Sequence, residues 1–375
     1  MVDQETIALL MKGINGVTWQ AVVMILVSLA LFYLAIVKDY EPLLLLPIGA
    51  GCLLANLPLS PLMGEHGMLR ILYQVGVENE LYPLLIFVGI GAMTDFGPLL
   101  ENPKFVLLGA AGQFGIFLTL ILALLLGFSQ NEAASIGIIG AIDGPTSIYV
   151  SGILAPHMLG PITVAAYSYM SLVPIIMPPV IHALTSKEER AIRMAYSQRK
   201  ISRRTRIMFP IIVTAIVGTL VPFATPLIGM LMLGNLMKES GAVERLTKAS
   251  SNEIANMVTL FLGLAIGSTM VGADFLKTQT LFILILGLLA FGIDCAAGVL
   301  FAKILNWLTG GKVNPIIGAA GISAFPMAAR VCQRLAQQEN FDNFLLMHAM
   351  GANAAGQVAS VVAGGVLLAL MGAGG

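Results

Sequence analysis

Apolar residues in this chain come in long runs, not in short alternating patterns. Residues 18–37 are apolar over about the 20 positions that a helix needs to cross the hydrocarbon core of a membrane. Ten further runs cover 43–57, 81–94, 105–128, 134–154, 162–184, 207–233, 254–271, 280–301, 315–331 and 344–371. The pattern predicts an all-α polytopic membrane protein with about 11 transmembrane segments, in which 105–128 forms one uninterrupted helix.

Composition supports a membrane protein and excludes several other classes. Of the 375 residues, 57% are hydrophobic and 11% are charged, and the mean hydropathy is +0.89, whereas a soluble domain carries about a quarter of charged residues. The net charge of zero gives no support for nucleic-acid binding. Cys52, Cys295 and Cys332 are too scattered for a zinc or disulfide framework. No nucleotide-binding fingerprint is present.

The stretch 187–206 interrupts the apolar pattern with eight Lys or Arg against two Glu. An excess of Lys and Arg is typical of cytoplasmic loops, so we expect this linker to be cytoplasmic. Counting crossings from there predicts a cytoplasmic N-terminus and a C-terminus outside. The same count places Lys104, Lys303 and Lys312 outside and Lys277 inside.

The two sides of the basic linker resemble each other. The sequence Ile-Ile-Gly-Ala occurs at 138–141 and again at 316–319, and Gly89–Phe96 resembles Ala265–Phe275. An odd number of crossings in each half inverts the second half relative to the first. We therefore predict a first helix with the N-terminal end (1–42), a first repeat (43–186), the linker (187–206) and an inverted second repeat (207–375). Each repeat has five segments, and inverted repeats with interrupted helices are typical of transporters with a site near the midplane.

The first interrupted segment carries a carboxylate, Asp143, inside an otherwise apolar stretch. An ionisable residue at membrane depth is costly and indicates a functional site. The following Gly144-Pro145 disfavours a continuous helix and frees backbone carbonyls beside the negative charge. A cation site, a proton relay and a pairing with arginine all fit these residues.

The second interrupted segment supplies neutral oxygens. Asn314 and Ser323 flank a stretch in which Gly318 and two prolines, Pro315 and Pro326, expose further backbone carbonyls. One aspartate with amide, hydroxyl and carbonyl oxygens suits sodium better than magnesium or calcium, for which several carboxylates are expected.

Other polar residues in the apolar runs have two interpretations each. Arg330 can clamp a carboxylate or anchor its helix at the interface. Asn353, Gln357 and Ser360 share one helix face, where they can line a site or pack helices together. Tyr167 and Tyr169 can anchor their span or join the site. Asp294 is a second intramembrane acid, which can belong to a proton path or pair with a lysine.

Several motifs, in this order, resemble one family. They are Asp143-Gly-Pro-Thr146, Tyr167-Ser-Tyr-Met-Ser-Leu-Val-Pro174, Asn314-Pro-Ile-Ile-Gly318, Pro326-Met-Ala-Ala-Arg330 and His348-Ala-Met-Gly-Ala-Asn353. The chain resembles the beta subunits of the sodium-pumping, biotin-dependent decarboxylases from about residue 40 onward. The resemblance implies a multi-pass protein of the bacterial inner membrane. It would decarboxylate carboxybiotin delivered from the cytoplasm while exporting sodium and taking up a proton.

The resemblance also implies partners and roles for residues. It places Asp143, Asn314 and Gly318 at a sodium site, Tyr169 and Ser323 at a second sodium or proton-exchange site, and Arg330 near carboxybiotin, with Asn353 and Ser360 completing the polar lining. A carboxyltransferase alpha subunit, a biotin carrier, a small single-span subunit and a homo-oligomer are the expected partners. An acyl-CoA, glutaconyl-CoA or methylmalonyl-CoA, is the expected parent substrate, and oxaloacetate is possible. The alternative is a sodium symporter for an organic anion, with no chemistry of its own.

Overall fold

The computed structural model describes residues 11–13, 15–195 and 200–372, and this part of the chain is helical without strands. The first residues of the predicted N-terminal end and residues 196–199 of the basic linker lie outside it. Its α-helices of eight or more residues are α1 Trp19–Ile36, α2 Pro42–Ala55, α3 Leu81–Met93, α4 Phe114–Leu125, α5 Gln130–Gly137, α6 Gly144–Leu154, α7 Leu159–Leu184, α8 Arg203–Leu220, α9 Thr225–Ser240, α10 Ala255–Thr269, α11 Thr278–Leu308, α12 Met327–Glu339 and α13 Leu346–Leu370.

Shorter helical pieces join these helices. The α-helical pieces are Met68–Leu72, Gly97–Glu101, Val106–Ala111, Lys187–Arg190, Glu244–Ala249 and Gly272–Phe275. Tighter 3₁₀ turns cover Pro61–Met63, Pro103–Phe105, Ile138–Ala141, Pro156–Met158, Pro222–Ala224 and Pro315–Gly321. Tyr73–Glu78 and Ser250–Ile254 are wider π-helical turns. Each 3₁₀ turn other than Ile138–Ala141 begins with proline, which has no N–H to leave unpaired at the start of a helix.

Many predicted apolar runs correspond to helices. Five helical stretches of the described chain are long and apolar enough to cross a membrane, or up to six if a bent pair counts as one span. The five are Trp19–Ile36, Pro103–Leu125, Pro156–Leu184, Thr278–Leu308 and Leu346–Leu370. The short run at 81–94 is α3, and it joins Pro61–Glu78 at a bend of 63°. The all-helical membrane architecture is confirmed, but the count of eleven crossings is not.

The run at 207–233 contains two helices where one crossing was predicted. The chain turns at Pro222–Ala224 between α8 and α9. The two helices are antiparallel, because the Arg203 guanidinium at the start of α8 donates to the Ser240 carbonyl at the end of α9 at 2.5 Å. This hairpin returns the chain to the end of the molecule from which α8 started, which changes the direction of the segments that follow.

Both interrupted segments turn back instead of crossing. In the first hairpin, α5 leads inward through Ile138–Ala141 and α6 leads back, so that Glu132 and His157 at its two ends meet at 3.0 Å. In the second hairpin, Pro315–Gly321 leads inward and α12 leads back, and Arg190 contacts both ends. The hairpin tips meet where the Ser323 amide donates to the Ala141 carbonyl at 3.1 Å. The two hairpins therefore enter from opposite ends of the molecule.

These contacts correct the predicted sidedness. We call the end that carries the described part of the basic linker the basic-loop end. Lys303 lies there, 3.1 Å from Glu189, and Lys104 and Lys312 line a cavity there with Arg193. Their predicted placement outside, opposite the linker, is therefore wrong. The error arose from counting the hairpins as crossings and the α8–α9 pair as one.

The N-terminal helix is also reversed relative to the linker. Gln20, at the start of α1, packs against Gly272. Lys277, five residues after Gly272, is the N-cap of α11. The other end of α11 carries Lys303, so α1 starts at the end opposite the basic-loop end. The prediction that the N-terminus and the linker share one side is wrong for the described start of this helix.

Candidate functional site

Asp143 lies at the tip of the first hairpin, where the backbone is irregular. Ile142 adopts a left-handed conformation (φ 52°), and Asp143 is the N-cap of α6. Its Oδ1 accepts a hydrogen bond from the Thr146 amide at 3.2 Å, which places the carboxylate at the positive end of the helix dipole. Gly144 follows because the Tyr167 ring occupies the space that a Cβ would need.

Two serines from the second half of the chain complete a buried cluster around Asp143. Ser360, on α13, donates to Asp143 Oδ2 at 2.8 Å, and Ser323, at the second hairpin tip, lies 3.4 Å from the same oxygen. The two hydroxyls are 2.6 Å apart. Asp143, Ser323 and Ser360 are at most 4% exposed. The structure therefore brings together three residues that are distant in sequence and were each predicted for the site.

Two amides of α13 support the second hairpin tip and leave oxygens unpaired. Asn353 donates to the Ile322 carbonyl at 2.6 Å, and Gln357 donates to the Ser323 carbonyl. Asn353 Oδ1 and Gln357 Oε1 are buried and have no hydrogen-bond partner among the described residues. Buried polar atoms are normally paired, so unpaired oxygens beside a carboxylate indicate a place for a cation. The oxygens here are those of one carboxylate and of neutral groups, which is the combination expected for a monovalent cation.

A cavity of about 400 Å³ leads from this cluster toward the basic-loop end. Asp143, Ser323 and Gln357 line its inner part with Tyr167, and Glu41 lies among its further lining residues with Thr94 and Pro326. The direction follows from Thr94, whose carbonyl accepts from Lys238 at 2.9 Å next to the Arg206–Glu239 pair. A larger cavity of about 490 Å³, lined by residues of α8 and α13 among others, has almost only apolar walls and no ionisable residue.

Arg330 lies one turn beyond this cavity. Its amide donates to the carbonyl of Pro326, which lines the cavity, and its side chain is exposed. The guanidinium makes no ion pair with any residue that the structure describes. An exposed, unpaired arginine at this place has its hydrogen-bond donors free for a carboxylate.

Other predicted site residues lie apart from Asp143. The Asn314 Nδ2 donates to the carbonyls of Arg190 and Ile192, at 2.8 and 2.9 Å, and its Oδ1 accepts from the Ile316 amide. Gly318 packs against Gly298 of α11. A 3₁₀ path from Asn314 to the hairpin tip spans on the order of 15 Å. Neither residue lines the Asp143 cavity, and their predicted role as sodium ligands stays a prediction.

The two tyrosines of α7 face different surroundings. Tyr169 donates to the Leu284 carbonyl of α11 and packs beside Gly287, so its hydroxyl is directed away from the Ser323 cluster. Tyr167, two positions earlier, lines the cavity. Residues two apart on a helix lie about 200° apart around its axis, which explains the difference. The predicted exchange role of Tyr169 stays a prediction.

Asp294 lies behind the first hairpin, next to Gly140, and its predicted roles in a proton path or with a lysine stay predictions. It is fully buried in α11 and accepts from the Gly115 amide at the start of α4. Val106–Ala111 and α4 are separate helices that meet at Gly112 and Gln113, so the uninterrupted helix predicted over 105–128 is wrong. A carboxylate at the start of α4 pairs amides that the break leaves free.

Sequence patterns gave no indication of Glu41. It follows the first apolar run in a short polar turn, where a charged residue is ordinary. Only the folded chain brings that turn to the cavity, because α2 packs beside helices that are remote in sequence.

Comparison with known proteins shows which family the chain belongs to. The profile of the family described as Na+-transporting oxaloacetate decarboxylase beta subunit matches residues 20–371. Glutaconyl-CoA decarboxylase subunit beta of Acidaminococcus fermentans is 53% identical over 361 residues, covering 96% of both chains. Methylmalonyl-CoA decarboxylase subunit beta of Propionigenium modestum is 51% identical over 96% of this chain and 97% of its own.

Relatives named for a third substrate match almost as well. Oxaloacetate decarboxylase beta chain 2 of Salmonella typhi is 48% identical over 92% of this chain and 94% of its own. The matches extend over both hairpins and the helices that carry the polar cluster. The chain therefore belongs to the family of beta subunits of sodium-transporting decarboxylases.

Proposed function

We propose that this subunit decarboxylates carboxybiotin at the basic-loop end and couples the reaction to sodium export through Asp143. The observation that carries the proposal is the cluster of Asp143, Ser323 and Ser360 with the unpaired oxygens of Asn353 and Gln357. A single buried carboxylate with neutral oxygens balances the charge of one monovalent cation without a second acid.

The chain's own groups divide into two sets with separate tasks. Arg330 binds the incoming carboxylate of carboxybiotin, which a biotin carrier brings from the cytoplasm. Loss of CO2 would break the N–C bond and leave the electron pair on the ureido nitrogen, which would take up the proton that Asp143 releases when it next binds sodium. Asp143 holds sodium and, after the ion leaves, accepts a proton, so that one site alternates between the two cations. The negative charge delivered at Arg330 favours sodium in the cavity below it.

We propose that the basic-loop end is cytoplasmic, in agreement with the excess of Lys and Arg in the linker. The two hairpins entering from opposite ends support an inverted relation between the repeats 43–186 and 207–375. A carboxyltransferase alpha subunit, a biotin carrier and a small single-span subunit complete the complex in the bacterial inner membrane, where the subunit forms a homo-oligomer.

The parent substrate we propose is an acyl-CoA. The glutaconyl-CoA and methylmalonyl-CoA relatives are 51–53% identical to this chain, against 46–48% for the oxaloacetate relatives. The difference is small, so the parent substrate is tested directly by offering glutaconyl-CoA, methylmalonyl-CoA and oxaloacetate to the native complex.

The test of the coupling uses the complex in sealed vesicles. Substrate should drive uptake of radioactive sodium, and avidin should abolish it. Asp143→Asn should remove both sodium uptake and sodium-dependent decarboxylation; full decarboxylation in this variant would refute the assignment of Asp143. Uptake of a labelled dicarboxylate by this chain alone, insensitive to avidin, would instead support the symporter, against which the names of the relatives argue.

A further inference from the structure

Glu41 is a second carboxylate in the cavity that leads to Asp143. It lies in the turn between α1 and α2, in a left-handed conformation (φ 36°), as the N-cap of α2. Its side chain lines the cavity together with Asp143 and Tyr167. The cavity therefore carries two carboxylates, Asp143 at its inner part and Glu41 further out.

The Glu41 carboxylate lacks a cation of its own. It is half-buried, and among the described residues it has no hydrogen bond or ion pair from its side chain. Burial raises the pKa of this carboxyl. Lys38 is three residues away, but it lies over the Tyr33 ring. A partly desolvated carboxylate without a partner is costly to keep, unless a ligand provides the positive charge.

A second observation indicates a ligand in the same cavity. Gln357 is 4% exposed and lines the cavity, and its Oε1 has no partner among the described residues. An amide oxygen and a carboxylate on the walls of one cavity are both hard ligands, which suit a small cation and exclude an anion. Thr259 adds a hydroxyl to the same walls.

We propose that Glu41 forms an outer cation position, through which sodium reaches Asp143 from the basic-loop end. The proposal rests on the proposed function, because it takes sodium as the ion that Asp143 binds. Glu41 raises the local concentration of sodium and holds the ion with part of its water. The ion then loses this water at the inner site. Tyr167 separates the two positions. The outer position acts on sodium affinity and not on the chemistry at Arg330.

Equilibrium binding of radioactive sodium to the purified full-length chain tests the proposal. Glu41→Gln removes the charge and keeps the shape, and we expect the apparent dissociation constant for sodium to rise about fivefold, the order expected for one unit charge across a partly hydrated cavity. Glu41→Asp keeps the charge and should stay within about twofold. Asp39→Asn is the matched control, since Asp39 is exposed, two residues away and outside the cavity.

Asp143→Asn, measured in the same assay, distinguishes failure of the proposed inner site from failure of the outer position at Glu41. If this variant binds sodium like the wild type, the proposed function fails at its inner site. If it loses binding while Glu41→Gln binds like the wild type, the inner site stands and the outer position is refuted. A rise in Asp39→Asn equal to that in Glu41→Gln would also refute it, because the effect would then be one of general surface charge.

Discussion

Arg190 is the residue of the basic linker whose loss should disturb the structure most. Its side chain is 6% exposed, and its Nη2 and Nε reach Glu339 Oε1 at 2.6 and 2.8 Å. Nη1 donates to the Thr185 carbonyl at 2.6 Å, and the Arg190 carbonyl accepts from Asn314. One residue thus holds the end of α7, the start of the second hairpin and the end of α12.

The loss of stability expected for Arg190→Ala follows from the burial of its ion pair with Glu339. Removing one partner of a buried pair costs about 3–5 kcal/mol, and Glu339, with a side chain that is 19% exposed, recovers part of its hydration. We expect Arg190→Ala to lower the free energy of unfolding by about 2–3 kcal/mol. Arg193 provides the comparison, since it lies 3.4 Å from Asp342 and the two side chains are 59% and 70% exposed. Such an exposed pair contributes about 0–1 kcal/mol.

Two double-mutant cycles in a reversible unfolding assay in bicelles measure the difference. The cycle of Arg190→Ala with Glu339→Ala should give a coupling of about 2 kcal/mol, and the cycle of Arg193→Ala with Asp342→Ala less than about 0.5 kcal/mol. Equal couplings in the two cycles would refute the argument that burial at the hairpin base sets the strength. Hydrogen exchange of the α12 amides should be faster in Arg190→Ala and not in Arg193→Ala. This result would place the loss of stability at the base of the second hairpin.

Two further pairs of substitutions test the buried acids and their partners. Asp294→Ala leaves the Gly115 amide unpaired and should cost about 1–3 kcal/mol of unfolding free energy, whereas Asp294→Asn, which keeps an acceptor oxygen, should cost less; the reverse order in thermal unfolding would contradict the capping role. Ser360→Ala removes the hydroxyl that orients Asp143 Oδ2, so we expect half-saturating sodium to rise about tenfold. Ser151→Ala, a buried hydroxyl bonded only within α6, should leave it unchanged.

Helices and polar candidates were predictable from local sequence because each depends on local physics. Apolar runs such as that of α1 follow from the cost of unpaired backbone in lipid, which only a helix avoids there. Asp143 was identifiable because a charge in an apolar run next to Gly144-Pro145 has few structural explanations. The polar face of α13 was also visible, since Asn353 and Ser360 recur at helical spacing.

Topology was not predictable from the same patterns. A hairpin that enters and returns has the apolar length of a crossing, and only contacts such as Glu132 with His157 distinguish them. The turn at Pro222 was missed because the apolar run continues through it, so that two helices had the pattern of one crossing. Each error reverses the side of every later segment, and Lys303 was therefore assigned to the wrong end.

The contacts of the hairpins explain why the proposed ion site needs both halves of the chain. The two tips pair with each other: Ala141 accepts from the Ser323 amide, and the Ser323 hydroxyl lies between Asp143 and the Gly356 carbonyl of α13, 3.2 Å from that carbonyl. A shift of the first hairpin along its own direction would separate Asp143 from Ser323 and Ser360, and a shift of the second would separate Ser323 from Asp143. Because the hairpins open toward opposite ends, withdrawal of one or the other would expose the same carboxylate to different sides, which is the requirement for moving an ion across the membrane.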